Sequence, residues 1–243
     1  MKAAFRTIRL AAVFALFTPA VLPQSPAAAS GHWEGAIKTP DQELAIQVDL
    51  AKNAKGDWIG TISIPPQNLK GFPLSSIEVK GNAVAFNMKG PRGDPRFEGT
   101  LAPDGKSLSG NFTQGGASLT FALKRTGEAV IEPPAKSTAV TKELEGTWEG
   151  SLDANGTTLR LVLKMANQPE GAAGSMTSLD QGGMEIPITS ITQKDAHLKI
   201  ELKNIGGTFE GDLKDGALVG QWTQGPGTLP LTFKRPAKPD SKK

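Results

Sequence analysis

Four glutamates in two repeated patterns are the first candidates for chemistry. Glu34 and Glu149 stand in Trp-Glu-Gly, and Glu98 and Glu210 stand in Phe-Glu-Gly. Two carboxylates facing one pocket could serve as the acid and base of a glycosidase. Each glutamate, however, follows an aromatic residue and precedes a glycine in a segment of alternating polarity, which points the ring inward and the carboxylate outward. We therefore expect all four carboxylates to face solvent, where nothing raises the pKa of a general acid.

Nucleophilic and metal-assisted chemistry lack their usual residues. The sequence has two histidines, His32 and His197, and no cysteine. His32 stands at a position of its strand that alternation predicts to face outward, and His197 precedes a strand in a polar turn. Neither a Gly-x-Ser-x-Gly elbow nor a Ser-x-x-Lys motif follows a strand, and one histidine in each half of the chain is too few for a zinc site. The sequence thus predicts a non-catalytic protein without a metal or a cofactor.

A five-residue pattern occurs twice, as GHWEG at 31–35 and GTWEG at 146–150. Aligning the two copies brings later positions into register with only small gaps, which is the signature of a duplicated domain. The paired positions include Trp33 with Trp148, Gln67 with Gln181, Gln114 with Gln224, and Arg125 with Arg235. We predict five segments: a leader over 1–29, repeat one over 31–126, a linker over 127–144, repeat two over 145–236 and a basic tail over 237–243.

The first 29 residues have the pattern of a secretory signal peptide: a basic start, an apolar stretch over 10–17 and small residues up to Ala29. The apolar stretch is shorter than the roughly 20 residues that span a bilayer. We expect cleavage near Ala29 and a periplasmic or secreted protein that is not embedded in a membrane. Lys2, Arg6 and Arg9 account for the formal net charge of +3, so the mature chain has no cationic excess for nucleic acid.

Within each repeat, apolar residues alternate with polar ones. Leu44, Ile46 and Val48 alternate with polar or small residues in repeat one, as Leu198 and Ile200 do in repeat two. This period of two is typical of strands with one buried face. Eight such segments follow one another in each repeat, separated by hairpin turns. We predict an all-β protein of two tandem eight-stranded antiparallel meander barrels, with a β-sandwich as the alternative.

Parity also predicts how each barrel closes. Trp33 and Trp148 share the inward face of their first strands, and Arg125 and Arg235 end the inward face of the last strands. In a closed meander the first and last strands are neighbours, so each arginine can cover the indole of its own repeat. A guanidinium over an indole stabilises by about 0.5–2 kcal/mol.

These residues resemble two known patterns. A Gly-x-Trp that opens the first strand and an Arg that ends the last one resemble the calycin pattern of the lipocalins, small barrels that often bind apolar ligands. The series WEG, FEG, TQG and LPLTFKR is similar to an uncharacterised extracytoplasmic β-module that precedes α/β-hydrolase or β-lactamase-like domains in secreted bacterial proteins. The second resemblance implies an accessory role beside a serine hydrolase.

Glutamines gather at the end of the meander opposite the predicted Trp and Arg closure. The connections at that end are long or rich in glycine, and their candidate ligand-binding residues are Gln67, Arg92, Gln114, Gln181 and Gln224. The alternative is that these amides only tie loops to backbone, as most side-chain hydrogen bonds do. We expect a binding protein for a small apolar ligand, or for a protein or glycan at the rim. The alternative function is an accessory subunit or domain of a secreted serine-hydrolase system.

Overall fold

Two meander sheets, one from each repeat, make up the fold of the computed structural model, which describes residues 29–88, 95–133, 135–154 and 156–237. The first sheet has nine strands: β1 (Gly31–Lys38), β2 (Glu43–Lys52), β3 (Trp58–Ile64), β4 (Leu69–Pro73), β5 (Ser75–Lys80), β6 (Ala83–Asn87), β7 (Arg96–Leu101), β8 (Ser107–Gln114) and β9 (Ala117–Gly127). The second has nine more: β10 (Gly146–Ala154), β11 (Thr157–Gln168), β12 (Gly171–Ser178), β13 (Glu185–Pro187), β14 (Ser190–Lys194), β15 (His197–Leu202), β16 (Gly207–Lys214), β17 (Ala217–Gln224) and β18 (Gly227–Lys234).

Each sheet curls into a nearly closed antiparallel barrel. The strand order is β4-β3-β2-β1-β9-β8-β7-β6-β5 in the first sheet, and the second sheet repeats it from β13 to β14. The first and last strands of each repeat are therefore neighbours, as a closed meander requires. The predicted all-β fold of two tandem barrels is confirmed, and the β-sandwich alternative is not observed in the described residues.

Each barrel has nine strands where the sequence predicted eight. After β3, Pro65–Gln67 forms a 3-10 turn and Asn68 adopts a left-handed conformation, with φ of 52°. This turn reverses the chain, so that Leu69–Pro73 pairs with β3 as an additional strand. The edge strands β4 and β5 are separated only by Leu74, whose N–H donates to the Gly60 carbonyl at 2.9 Å and draws the two edges together.

The repeated Trp-Glu-Gly pattern lies where first and last strands meet. Trp33 and Trp148 are buried, at 0% and 1% exposure. Each indole N–H donates to the carbonyl four residues earlier, Trp33 to Ala29 at 3.1 Å and Trp148 to Leu144 at 2.9 Å. The bond satisfies the one polar atom of an otherwise apolar side chain, so the indole can be buried without an unpaired donor.

The glycine of the pattern allows a close approach between strands. A Cβ on Gly35 would collide with the Ala122 carbonyl on β9, and one on Gly150 would lie 2.7 Å from the Thr232 carbonyl on β18. In both cases the added carbon would be closer to the carbonyl oxygen than any ordinary van der Waals contact allows. Glycine is therefore required for the first strand to lie against the last one.

Part of the segment between the repeats packs on the second barrel. The Thr138 N–H donates to the Ile191 carbonyl on β14, and the Thr138 carbonyl accepts from the Ala172 N–H on β12. Val140 and Leu144 are buried in the second core, at 5% and 1% exposure. Residues 137–144 therefore fill the gap between β12 and β14 and contribute to the second barrel.

Replacing the buried indole tests this account of the core. Trp148→Ala should lower the free energy of unfolding of the second barrel by about 3–5 kcal/mol, because the substitution leaves a cavity of indole size. Chemical denaturation monitored by far-UV circular dichroism measures the change. The control is Glu149→Ala at the next, exposed position, which should change stability by less than about 0.5 kcal/mol. Equal stability of the two variants would contradict the account.

Candidate functional site

A cavity of about 1140 Å³ lies at the mouth of the second barrel, against the first barrel. Its volume is comparable to that of pockets that enclose small ligands. Pro65 and Leu69 of the first barrel contribute to its apolar wall, but most of this wall comes from the second barrel: Leu152, Leu159, Leu161, Met176, Ile186, Leu202, Ile205, Trp222 and Leu229. Its polar rim comes from both barrels and includes Gln47, Ser63, Gln67, Asn68, Lys70, Ser178, Gln181, Lys203 and Gln224.

Three connections of the second barrel form this mouth. They follow β12, β15 and β17, and they contribute Gln181, the 3-10 turn Lys203–Ile205, and the stretch from Gln224 to Gly227. The alternating direction of meander strands places all three connections at one end of the barrel, opposite Trp148. The connection after β3 of the first barrel supplies the remaining side of the rim.

A polar tie holds the two barrels together beside the cavity. The Asn204 side-chain amide donates to the Gly71 carbonyl at 2.7 Å and to the Lys70 carbonyl at 3.2 Å. Met184 and Ile205 of the second barrel also pack against the apolar core of the first. The first barrel therefore covers one side of the mouth of the second.

The structure brings three of the five predicted ligand-binding residues to this cavity. Gln67, Gln181 and Gln224 line it, whereas Gln114 ends β8 of the first barrel and is not among the lining residues. Arg92 lies outside the described residues. The Gln224 amide donates to the Ile205 carbonyl at 2.9 Å, which is the loop-tying role considered as the alternative.

The two barrels differ at inward positions near the mouth. At three equivalent inward positions the first barrel carries the larger or more apolar side chain, whereas Trp222 of the second barrel stands against the smaller Phe112. The differences are Ile64 against Ser178, Phe72 against Ile186, and Phe86 against Ile200. The smaller side chains leave the second barrel space near its mouth, and a single serine among apolar inward residues was the signal that sequence analysis missed.

Aromatic rings fill the corresponding space in the first barrel. Phe97 lies at its centre, with ring centroids 4.8 Å from Phe86, 4.8 Å from Phe112 and 5.4 Å from Phe121. In the second barrel, the ring of Phe209 packs against that of Phe233, with 5.4 Å between the ring centroids. Packed aromatic rings of this kind leave no room between them for a ligand.

Trp222 and Ser178 are the two distinctive residues of the cavity wall. The Trp222 ring lies so close over Gly207 that a Cβ there would collide with it, and only 6% of the residue is exposed. The Ser178 hydroxyl is the one buried side-chain oxygen or nitrogen in the described residues without a hydrogen-bond partner. The cavity lining thus includes an indole and an unpaired hydroxyl in addition to its aliphatic side chains.

The charged groups that line the cavity are all cationic. Lys70 and Lys203 line it, and no carboxylate from the described part of the chain does. Asp180, next to the lining residue Gln181, binds Arg160, with 2.6 Å between Oδ1 and Nη2. Hydrogen bonds from Arg160 hold the pKa of the Asp180 carboxyl below its usual range. The Ser190 hydroxyl, which donates to Glu201 at 2.7 Å, lowers the pKa of that carboxyl against the opposing effect of burial, with help from Lys199 and Lys203.

A smaller groove of about 560 Å³ lies on the outer face of β15, β16 and β17. Its charged residues already pair with one another: His197 lies 2.9 Å from Asp212, and Lys199 lies 3.1 Å from Glu210. The hydrogen bond from His197, with one from Lys214, lowers the pKa of the Asp212 carboxyl. A lowered pKa keeps the Asp212 carboxyl ionised, so it is not prepared as a general acid.

The repeated glutamates lie on outer barrel faces. The side chains of Glu34, Glu98 and Glu210 are 47%, 59% and 51% exposed, and Glu149 is exposed as well. Glu34 accepts hydrogen bonds from Gln47 and from the imidazole of His32. These contacts crosslink neighbouring strands and do not enclose a substrate.

The arginines at the ends of the last strands behave differently in the two repeats. The Arg235 guanidinium lies over the Trp148 ring, 3.8 Å from its centroid. Arg125 has no such contact with Trp33 among the described residues; its side chain lies beside Gly31 and binds Glu128 at 3.3 Å. The reason is that β9 continues past Arg125 and keeps it paired with Trp33 in the sheet, whereas β18 ends at Lys234.

His32 connects the first barrel to the chain that leaves it. Its Nδ1 lies 2.8 Å from Asp49 Oδ1, and the same oxygen accepts from the Val130 N–H at 2.8 Å. Burial disfavours the charged imidazole, but hydrogen bonds and charge attraction from Asp49 and Glu34 outweigh it and raise the pKa of His32 above its ordinary value of 6.5.

This shift predicts a pH-dependent stability. Because the pKa of His32 is raised on folding, its stabilising contribution is fully present below pH 6.5 and is lost as the pH rises through the raised value. The free energy of unfolding of the parent protein relative to His32→Gln, measured between about pH 5 and about pH 8.5, should therefore fall with rising pH. His197→Gln is the control for histidine removal. A difference that grows with pH would contradict the assignment.

The described residues form neither a cluster of metal ligands nor a helix that could span a membrane. No group of three or more His, Cys, Asp or Glu side chains lies close enough to hold a metal ion in the described ranges. In the same ranges, no helix has the length and apolar character needed to cross a bilayer.

Comparisons with known proteins find only distant structural likenesses. No protein-family model matches the chain, and no curated protein matches it. A candidate outer membrane protein from Bacteroides fragilis is 14% identical, with 86% of this chain and 96% of that chain covered and a TM-score of 0.28. A DUF3598-family protein of unknown function from Nostoc punctiforme is 12% identical, with 87% and 99% covered and a TM-score of 0.24. Kievitone hydratase from Nectria haematococca is 11% identical, with 90% and 94% covered and a TM-score of 0.23.

Proposed function

We propose that this chain is an exported, non-catalytic binding protein whose ligand site is the cavity at the mouth of the second barrel. The observation that carries the proposal is the difference between the repeats: the first barrel is filled by a phenylalanine cluster, whereas the second has a cavity of about 1140 Å³. An apolar wall with a few polar groups at the rim is the usual composition of a small-molecule site.

The absence of catalytic geometry in the described residues supports a binding role. A general acid or base needs a carboxyl or imidazole inside the pocket, and neither kind of side chain lines this cavity. The groups that do line it are amides, a hydroxyl, lysines and apolar side chains, which hold and orient a ligand. In this proposal the first barrel serves as a rigid cover that the Asn204 side chain ties in place.

The binding role is tested by native mass spectrometry of the protein purified from its own source, before and after organic extraction. We expect a bound small molecule that extraction removes, because the cavity is large enough to enclose one. After extraction, an added uncharged apolar fluorophore such as N-phenyl-1-naphthylamine should quench the part of the tryptophan emission that comes from Trp222, which lines the cavity.

The two repeats provide a matched control for this test. In Ser178→Ile/Ile186→Phe, the second barrel carries the residues of the first at two lining positions, which should fill the cavity and remove at least about 90% of the bound ligand. The control is Ser118→Ile, which adds volume at an exposed position of the first barrel that does not line the cavity and should keep the bound ligand. A bare mass before extraction, together with no effect of the filling variant on probe binding, would reject the proposed site.

Export is tested by fractionation of the source cells and by the intact mass of the mature chain. The Ala29 carbonyl accepts the hydrogen bond of the buried Trp33 indole, as the Leu144 carbonyl does for Trp148. We therefore expect the processed chain to begin at or before Ala29, which makes the leader at least one residue shorter than the 1–29 predicted from the sequence and keeps this acceptor. Full-length protein in the cytoplasm would reject export, and a start after Ala29 would reject the role of its carbonyl.

A further inference from the structure

We propose that the ligand of this cavity has an apolar body and a single anionic head group, and that Lys70 and Lys203 bind this head group at the seam between the barrels. The inference rests on the proposed function, and it adds the chemical class of the ligand and the residues that select it. One lysine comes from each barrel, so the site is complete only when both barrels are present.

The charge distribution around the cavity carries the argument. Among the described residues that line it, only Lys70 and Lys203 are charged, and both are exposed at the rim. The carboxylates next to lining residues have other partners: Asp180 binds Arg160, Glu201 accepts from Ser190, and Asp153 and Glu185 accept from threonine and serine hydroxyls. The charged side chains described in the lining itself are both positive, which favours an anion and disfavours a cation of the same size.

The polar tie between the barrels fixes where the two lysines stand. Asn204 follows Lys203 directly in the chain, and its side-chain amide donates to the backbone carbonyl of Lys70. This hydrogen bond fixes the backbone of Lys70 directly and the backbone of Lys203 through its neighbour Asn204. Two ammonium groups on flexible stems that start from opposite sides of the seam can reach one head group between them.

The rest of the site matches the two parts of such a ligand. The wall below the rim is apolar and ends at Trp222 and the leucines of β11 and β18, which suits a hydrocarbon body. Ser178 ends β12 at the neck of the cavity, where its unpaired hydroxyl can donate to a head-group oxygen. The first barrel has Ile64 at this position, so the donor belongs only to the barrel that has the cavity.

The test is an affinity series with one alkyl chain of about twelve carbons and four head groups: carboxylate, phosphate monoester, alcohol and trimethylammonium. Delipidated full-length protein is titrated with each compound below its micellar concentration, and Trp222 emission and calorimetry report binding. We expect at least one anionic compound to bind about tenfold or more tightly than the alcohol, with the cation weakest. Whether the carboxylate or the phosphate binds best distinguishes a fatty-acid-like source from a phospholipid-like one.

The variant Lys70→Gln/Lys203→Gln should reduce the preference for the anion over the alcohol to about twofold or less. Its affinity for the alcohol should stay at the parent value, which shows that the fold and the apolar wall are intact. Lys106→Gln/Lys194→Gln removes the same two charges from exposed positions outside the cavity lining and should keep the preference. Raised salt should weaken the anion and leave the alcohol unchanged.

The failures are distinguishable. Equal binding of all four head groups, tighter binding of the cation, or an anion preference that survives in Lys70→Gln/Lys203→Gln would overturn this inference and leave the binding function standing. Binding of none of the compounds, with no effect of Ser178→Ile/Ile186→Phe on any probe, would overturn the proposed function and the inference together.

Discussion

The contact between the first and last strands of each repeat is the constraint on which the rest of the structure depends. Gly35 and Gly150 let these strands approach more closely than any residue with a Cβ would allow, and the neighbouring tryptophans fill the space directly inside. Once β1 lies on β9 and β10 lies on β18, the remaining hairpins have only one way to continue around each barrel. The mouth connections then meet at the opposite end because meander strands alternate in direction.

With the closure kept in both copies, differences in side-chain volume near the mouth decide what each barrel can do. Aromatic residues fill the first barrel from Phe72 to Phe121, and tight packing of this kind stabilises a fold without offering a site. In the second barrel, Ile186 and Ile200 stand where the first has Phe72 and Phe86, and the cavity lies at the mouth of this barrel. A duplicated fold can assign stability to one copy and binding to the other, because a core weakened by a cavity is tolerated beside a filled neighbour.

Much of the fold could be predicted from the sequence. The alternation of polar and apolar residues identified the strands, and the repeated Trp-Glu-Gly pattern identified the two copies. The extra strand β4 was missed because the prolines at 65 and 66 looked like the start of a long loop, whereas Asn68 turns the chain back onto β3. The predicted contact between Arg125 and Trp33 was not observed. Alternation along a strand predicts which face a residue lies on, but it does not predict where the strand ends, and β9 continues past Arg125.

The candidate site was less predictable because it is made by two repeats at once. Reading each copy separately places the glutamines at a mouth, but nothing in one copy says that the turn after β3 of the first barrel covers the second barrel. That arrangement depends on Asn204 and its hydrogen bonds to the Gly71 and Lys70 carbonyls. The position aligned with Asn204 lies outside the described residues, so the structure gives no counterpart for comparison in the first barrel.

The seam also explains why a polar tie is suited to this position. An apolar interface would join the barrels more strongly, but it would bury the rim and close the route into the cavity. A side-chain amide bound to two backbone carbonyls fixes the relative position of the rims and leaves the neighbouring lysines at the surface. Hydrogen bonds of this kind contribute about 0.5–1.5 kcal/mol each, which is enough to favour one arrangement of the two rims.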